Sequence, residues 1–226
     1  MFRVLKGEAY MCVIIYSRQP SKVRDAIIEN MARNNPHGLG AMWYEENTLV
    51  VDQVLEENPI TYYREAAARA ESAGSPLGFH FRKRTSGDVS LDNVHPFDAG
   101  STWMMHNGTI QGALPDTAEL ASDSVNFARL IRRMEKDTGQ AVTASVNVLR
   151  MLGMAAQGSR LLLAPKTALP GRSMFLVNPG AWQFIGVHAI SNLYAWDAHK
   201  LTEGRYGTEE AAKTKKKLQQ QLRLFT

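Results

Sequence analysis

The chain has a single cysteine, so it cannot close an internal disulfide. It has no Cys-x-x-Cys pair and no His-Glu-x-x-His run, and its six histidines are scattered, a pattern that predicts no metal site. No apolar run approaches the roughly 20 residues that a membrane-crossing helix needs. The opening segment, MFRVLKGEAYM, carries Lys6 and Glu8 where a secretory leader would be apolar. These absences predict a cytoplasmic protein without a membrane partner. No glycine-rich phosphate loop follows a strand-like segment and strict βαβ alternation is missing, which disfavours a doubly wound nucleotide-binding fold. Excess charge of one sign is small. The net charge is +4, and Lys213, Lys215, Lys216 and Lys217 in the tail supply much of it. That run lacks interleaved aromatics, so a solvated helix face explains it better than a nucleic-acid surface.

What is present is a chain of 226 residues, long enough for one substantial core. Cys12–Tyr16 is a β-branched apolar run that reads as a buried strand. Val23, Ile27, Ile28 and Met31 give Ser21–Arg33 helical spacing. Ala41–Tyr44 and Thr48–Leu55 read as a strand pair, Pro59–Ala73 as a helix, and Leu77–Arg82 and Ser101–His106 as buried strands. Ser122 is placed to cap a helix running through Phe127, Leu130, Ile131 and Met134. Val142–Ala156 reads as a further helix. Arg160–Ala164, Ser173–Val177 and Trp182–Val187 read as strands, with another over Ile190–Ala195, and Thr208–Phe225 as a basic amphipathic helix. Strands, helices, strands and a final helix in that order suit a layered α+β domain with largely antiparallel sheets. Residues 12–226 read as one domain, and residues 1–11 as a propeptide or a misassigned start.

Four short segments hold residue types that chemistry uses. In Met11-Cys12 a methionine directly precedes the cysteine. With residues 1–11 removed, Cys12 carries a thiol and a free α-amine. Reference pKa values of about 8.5 and about 7.7–8.0 let the amine accept the thiol proton near neutrality. The plainer reading of Cys12 is a core residue in a strand. Gly78–Gly87 is a strand ending in polar side chains. Arg82 there suits a bidentate grip on a carboxylate, with Thr85 and Ser86 adding hydroxyls. A basic surface loop is the alternative. In His106-Asn107-Gly108, the Asn107 amide and the Gly108 N–H can converge on one oxygen as an oxyanion hole. A plain Asn-Gly hairpin turn is the alternative. Asp123 in Ser122-Asp123-Ser124 suits an α-ammonium, against an ordinary helix cap.

Together these segments resemble the class II glutamine amidotransferases of the N-terminal-nucleophile (Ntn) hydrolase superfamily. The resemblance rests on Cys12 followed by Val13-Ile14-Ile15, a loose N-x-D-G-x-G match at Asn35–Gly40, and His80, Arg82, Thr85 and Gly87 in an H-x-R-x-x-T-x-G segment. It continues through Asn93, His95, Pro96 and Phe97 as N-x-H-P-F, then His106-Asn107-Gly108, Ser122-Asp123 and Ser191-Asn192. It implies a four-layer αββα sandwich of two antiparallel sheets. It also implies a glutaminase that uses no cofactor, in which Cys12 forms a γ-glutamyl thioester and Asn107 and Gly108 hold the oxyanion. Arg82, Thr85, Ser86, His95 and Asp123 make up the substrate-binding set, with Arg82 on the α-carboxylate and Asp123 on the α-ammonium.

Several positions depart from the family pattern. Ser86 stands where His is frequent, Lys83 where an aromatic is, His37 where the turn has Asp, and Val125 where Glu often follows. Lys83 and Arg84 make the rim basic, which suits a substrate with an extra carboxylate such as a γ-glutamyl peptide. The stretch after Ser191-Asn192 leaves no room for an acceptor domain, so the resemblance implies, as an expectation, a stand-alone amidase on glutamine or a related amide, or a subunit feeding ammonia to a separate synthase. Two alternatives remain open at this stage. One is an Ntn amidohydrolase acting on another amide or γ-glutamyl compound, and the other is a non-catalytic binding protein that keeps residues 1–11.

Overall fold

A computed structural model describes residues 12–85, 87–113, 121–169 and 174–193. In chain order the described strands are β1 (Val13–Ser17), β2 (Leu39–Glu45), β3 (Thr48–Val54), β4 (Leu77–Phe81), β5 (Phe97–Asp98), β6 (Thr102–Asn107), β7 (Arg160–Pro165), β8 (Phe175–Val177), β9 (Gln183–Ile185) and β10 (His188–Ile190). The described helices are α1 (Asp25–Asn34), α2 (Pro59–Ser72), α3 (Asp123–Thr138) and α4 (Val146–Ala155). The fold is mixed α+β with two antiparallel sheets, ordered β3-β2-β4-β1-β10-β9 and β5-β6-β7-β8.

Three apolar clusters show how the layers stack. Val13 and Ile15 of β1 face one way and pack with Ala41, Trp43, Phe79 and Phe81 under Ile27, Ile28 and Met31 of α1 and Tyr63, Ala66 and Ala67 of α2. Ile14 and Tyr16 face the other way, and pack with Met42, Met105, Leu162 and Ala164. This middle cluster joins residues of both sheets. On the far side, Met104, Leu161 and Leu163 pack against Phe127, Ala128 and Ile131 of α3 and Leu152 and Ala156 of α4. The period-two alternation of a strand buried on both faces explains why CVIIY carries no polar residue. This stacking is compatible with a sandwich of two sheets between helices.

Local chemistry sets the helix ends. The Asn58 side chain accepts from the N–H groups of Ile60 and Thr61, and Pro59 occupies the first turn of α2. Gly139 ends α3 in the left-handed conformation, at φ 66°. Two predicted helices are shorter than the periodicity suggests. A 3₁₀ turn at Pro20–Lys22 precedes α1, with Arg24 extended between them. Val142–Ala156 is likewise broken at Ser145, which is extended at φ −132° and ψ 126°. Apolar spacing continues across both breaks, so it could not reveal them. The last described strand lies over His188–Ile190, so of the predicted Ile190–Ala195 only Ile190 is in it, Ser191 and Asn192 lie just past its end, and residues 194–195 lie outside the described residues. The predicted strand start at Ser173 and the tail helix Thr208–Phe225 lie outside the described residues.

Gly40 fixes how the second half of the chain crosses the first sheet. It pairs with His80 across β2 and β4. A Cβ at this position would stand 1.7 Å from the carbonyl oxygen of His95. The His95 backbone therefore lies directly on the strand, and Gln53 holds it there by donating from Nε2 to Pro96 O at 2.9 Å. Gly40→Ala is expected to cost roughly 3 kcal/mol or more, because the obstructing atom is backbone and cannot swing away. A urea midpoint equal to that of the unchanged protein would contradict the close approach.

Candidate active site

Cys12 sits immediately before β1 and is half-buried. Its sulfur accepts a hydrogen bond from Lys83 N at 3.2 Å and donates to Lys83 O at 3.3 Å. The main chain just past β4 therefore fixes the thiol. Burial pushes the Cys12 thiol up to about 11, opposed by the Lys83 N–H and by the positive charge of Arg82, while Asp123 adds to the rise. At neutral pH the sulfur keeps its proton, so attack on a substrate needs a base at hand.

Arg82 is the next residue after β4 and is buried. Its main chain bridges to the turn at Gly38, with Arg82 N donating to Gly38 O at 2.9 Å and His37 N donating to Arg82 O at 3.1 Å. Its Nη2 donates to Asp88 O at 2.8 Å. Burial draws the guanidinium below its ordinary value, and the nearby Cys12 and Asp88 oppose that. Even so, an arginine stays charged. Thr85 is exposed at the loop beyond, and Ser86 lies outside the described residues.

Asp123 opens α3 and is buried. Oδ2 accepts from Ile110 N at 2.8 Å and Oδ1 from Ser124 N at 2.9 Å. The helix-cap reading holds, since Ser122 Oγ accepts from Val125 N at 3.4 Å while Asp123 accepts from main-chain groups of its own. A carboxylate at a helix N-terminus is stabilised by the helix dipole. A buried cation and a buried anion thus act on the same sulfur, which is the charge pattern that an amino acid's carboxylate and ammonium would complement.

Asn107 ends β6, and its amide lies 2.7 Å from Ser191 Oγ through Nδ2, with Oδ1 buried and without a hydrogen-bond partner among the described residues. No hairpin forms at Asn107-Gly108. β6 pairs with β5 and β7, and the chain leaves Gly108 for a 3₁₀ turn at Gln111–Ala113. Gly108 has φ 144°, and a Cβ there would stand 2.1 Å from Ser159 Oγ. Only glycine fits that corner without strain.

His95 is buried with its ring 3.9 Å from that of His80 and 4.3 Å from that of Phe97, centroid to centroid. It is packed into the interior rather than presented on the surface. Both of its ring nitrogens lack a hydrogen-bond partner among the described residues. His106 lies beyond it, with ring centroids 6.4 Å apart, and its Nδ1 meets Ser124 Oγ at 2.7 Å.

No family model matches the chain, and no curated protein aligns with it significantly.

Four residues that the motif reading did not place in the site support it. Ser191 Oγ accepts from Ile14 N at 2.8 Å, and Asn192 Nδ2 donates to Cys12 O at 2.7 Å. Asn93 Oδ1 accepts from Ser122 N at 2.9 Å, while its Nδ2 donates to Asp88 Oδ1 at 2.6 Å. Asn93 and Asp88 thereby tie the loop that holds Arg82 to the start of α3. A cavity of about 560 Å³ opens beside this strut, walled by Asp88, Asn93, Val125 and Arg129. Asn93 and Ser191-Asn192 enter the sequence reading only as motif elements without a role, and nothing local marks Asp88.

Proposed function

We propose that the chain is an Ntn-type glutaminase related to the class II glutamine amidotransferases, acting once Cys12 is the first residue of the mature chain. The observation that carries this reading is the placement of Cys12 within the influence of both Arg82 and Asp123, its sulfur bound to the main chain of Lys83. The helix–sheet–sheet–helix stacking supports the same reading. Arg82 takes the substrate α-carboxylate and Asp123 the α-ammonium, which brings the side-chain amide to the sulfur.

The raised thiol pKa gives the α-amine its task. The amine takes the thiol proton as sulfur attacks the δ-carbon, because sulfur held at about 11 does not ionise unaided near neutrality. The carbonyl oxygen becomes an oxyanion, received by the Asn107 amide and the Gly108 N–H. Each such donor lowers the barrier by roughly 3–4 kcal/mol. The C–N bond then breaks, the proton held by the amine passes to the leaving nitrogen, and ammonia departs. Water, deprotonated by the same amine, attacks the γ-glutamyl thioester. Glutamate leaves and the thiol regains its proton.

Ammonia release from glutamine, set against asparagine and γ-glutamyl peptides, tests the assignment. Glutamine with the highest kcat/KM supports it, and a γ-glutamyl peptide far ahead of glutamine would transfer the activity to the peptide bond. Absence of hydrolysis across the whole panel leaves the binding-protein reading. The grip on the head group has its own test. Arg82→Lys keeps the charge and gives up the two-toothed geometry, and is expected to raise KM for glutamine roughly tenfold or more with a smaller change in kcat. Against 4-aminobutanamide, which lacks the α-carboxylate, variant and unchanged enzyme should behave alike. Equal losses on both amides would assign Arg82 to the fold alone.

A further inference from the structure

The Asn107 side chain can serve an oxyanion only with its nitrogen, not its oxygen, turned to the substrate. Its neighbour Ser191 determines which end points where. Ser191 is fully buried at the end of β10. Its main chain donates to Ile14 O at 3.0 Å, and its Oγ accepts from Ile14 N at 2.8 Å. The hydroxyl is thus clamped to β1, two residues from the nucleophile. Its remaining polar neighbour among the described residues is the Asn107 amide, at 2.7 Å.

A hydroxyl has one proton to give. The Ile14 N–H already points at Oγ, so the proton must leave toward Asn107. An amide nitrogen facing Oγ would also be a donor, leaving the hydroxyl proton without an acceptor. That orientation also leaves Oδ1 buried without a partner among the described residues, which is a costly arrangement. Turning the planar amide end for end removes the first fault and replaces the second with buried donors, which an oxyanion would satisfy. The hydroxyl then donates to Oδ1, and the nitrogen with both its protons takes the place of the orphaned oxygen. Amide nitrogen and oxygen have nearly the same shape, so hydrogen bonding decides between the two orientations.

We propose that Ser191 is a positioning residue for the reaction, its hydroxyl donating to Asn107 Oδ1 and so committing the Asn107 Nδ2 group to the oxyanion. This rests on the glutaminase reading for its catalytic consequence, but not for its geometry. The chain from Ile14 N–H through Ser191 Oγ to Asn107 gives the hole a fixed polarity that is set by β1, the strand that carries the nucleophile. Asn192, one residue further on, holds the carbonyl of Cys12 itself.

Neutron diffraction from deuterium-exchanged crystals of the full mature chain reads the geometry directly. The expected map has the Ser191 deuteron on the line to Asn107 and the two amide deuterons turned away from Ser191. Amide deuterons facing Ser191 overturn the proposal whatever the protein hydrolyses. Kinetics read the consequence. Ser191→Ala should lower kcat for glutamine at least about tenfold, short of the roughly 10²–10³-fold expected for deleting the donor in Asn107→Ala, with KM changed less than about twofold. In the Asn107→Ala background, Ser191→Ala should cost nothing further. Independent, multiplying losses would make Ser191 merely structural and overturn the proposal. Failure of the unchanged enzyme to release ammonia would sink the glutaminase reading, while the neutron map would still decide the orientation.

Discussion

Cys12→Ala is expected to abolish ammonia release from glutamine, a loss of roughly 10⁴-fold or more, while the protein stays folded. The expectation of a folded variant comes from the position of Cys12. The residue is half-buried and lies outside β1, and the strand's packing comes from Val13, Ile14, Ile15 and Tyr16, all buried. Loss of one sulfur and its contacts with Lys83 should cost about 1 kcal/mol, enough to move a melting temperature by only a few degrees. Loss of activity follows because Cys12 is the sole cysteine of the chain, so no second thiol can take its place. Cys12→Ser separates the two functions further. It retains a donor and acceptor for the Lys83 main chain, so stability should be restored more than turnover. Ammonia assays beside thermal melts read both. Turnover preserved in the alanine variant would remove the sulfur from the mechanism.

The second large effect is acid unfolding driven by histidines. His80, His95 and His106 form a buried row, and burial is the leading cause that pushes each one down. His80 falls to about 3, His106 to about 4 and His95 well below the ordinary range. For His95 the positive charge on His80, His106 and Arg82 adds to the effect. His188, whose Nδ1 lies 2.8 Å from Ser17 Oγ, is also pushed down by burial, to about 4. In the unfolded chain all of them titrate near 6.5. Between that value and the native ones, the unfolded state holds more protons than the native state. Stability is therefore full above about pH 6.5 and is lost as pH falls toward 4. Each such histidine contributes a slope of about 1.4 kcal/mol per pH unit in that window. Urea midpoints should fall steeply from pH 6.5 to pH 5, before most carboxylates titrate. His95→Phe keeps an aromatic ring in the stack and should reduce the slope by about one proton. Midpoints unchanged between pH 7 and pH 5 would show that the rings accept protons without unfolding.

Much of the fold was legible because the strands are short, apolar and well separated. β1, β6 and β7 each present apolar residues to two clusters on opposite faces, so each reads as a strand by its central apolar run. The helix breaks at Arg24 and Ser145 were not legible, since apolar periodicity carries through positions whose backbone is extended. Nor was β5, a strand of two residues whose pairing with Met104 and Trp103 is purely tertiary.

The candidate site divides in the same way. Cys12, Arg82, Asn107 and Asp123 each fall at the end or start of an element, which is where a sequence reading can look for exposed chemistry. The Asn-Gly pair was ambiguous with a hairpin until the pairing of β6 was known. Ser191 and Asn192 were marked by the resemblance but given no role, because their partners, Ile14 and Cys12, stand at the opposite end of the sequence. His95 carries a polar side chain and yet packs as an aromatic, and only the close approach permitted by Gly40 explains why it can.

The most direct test of the central claim is the intact mass of the protein, acid-quenched while it turns over glutamine. The account predicts a chain that begins at Cys12 and bears a γ-glutamyl group that hydroxylamine removes. A chain that still carries residues 1–11 and holds no adduct would contradict it.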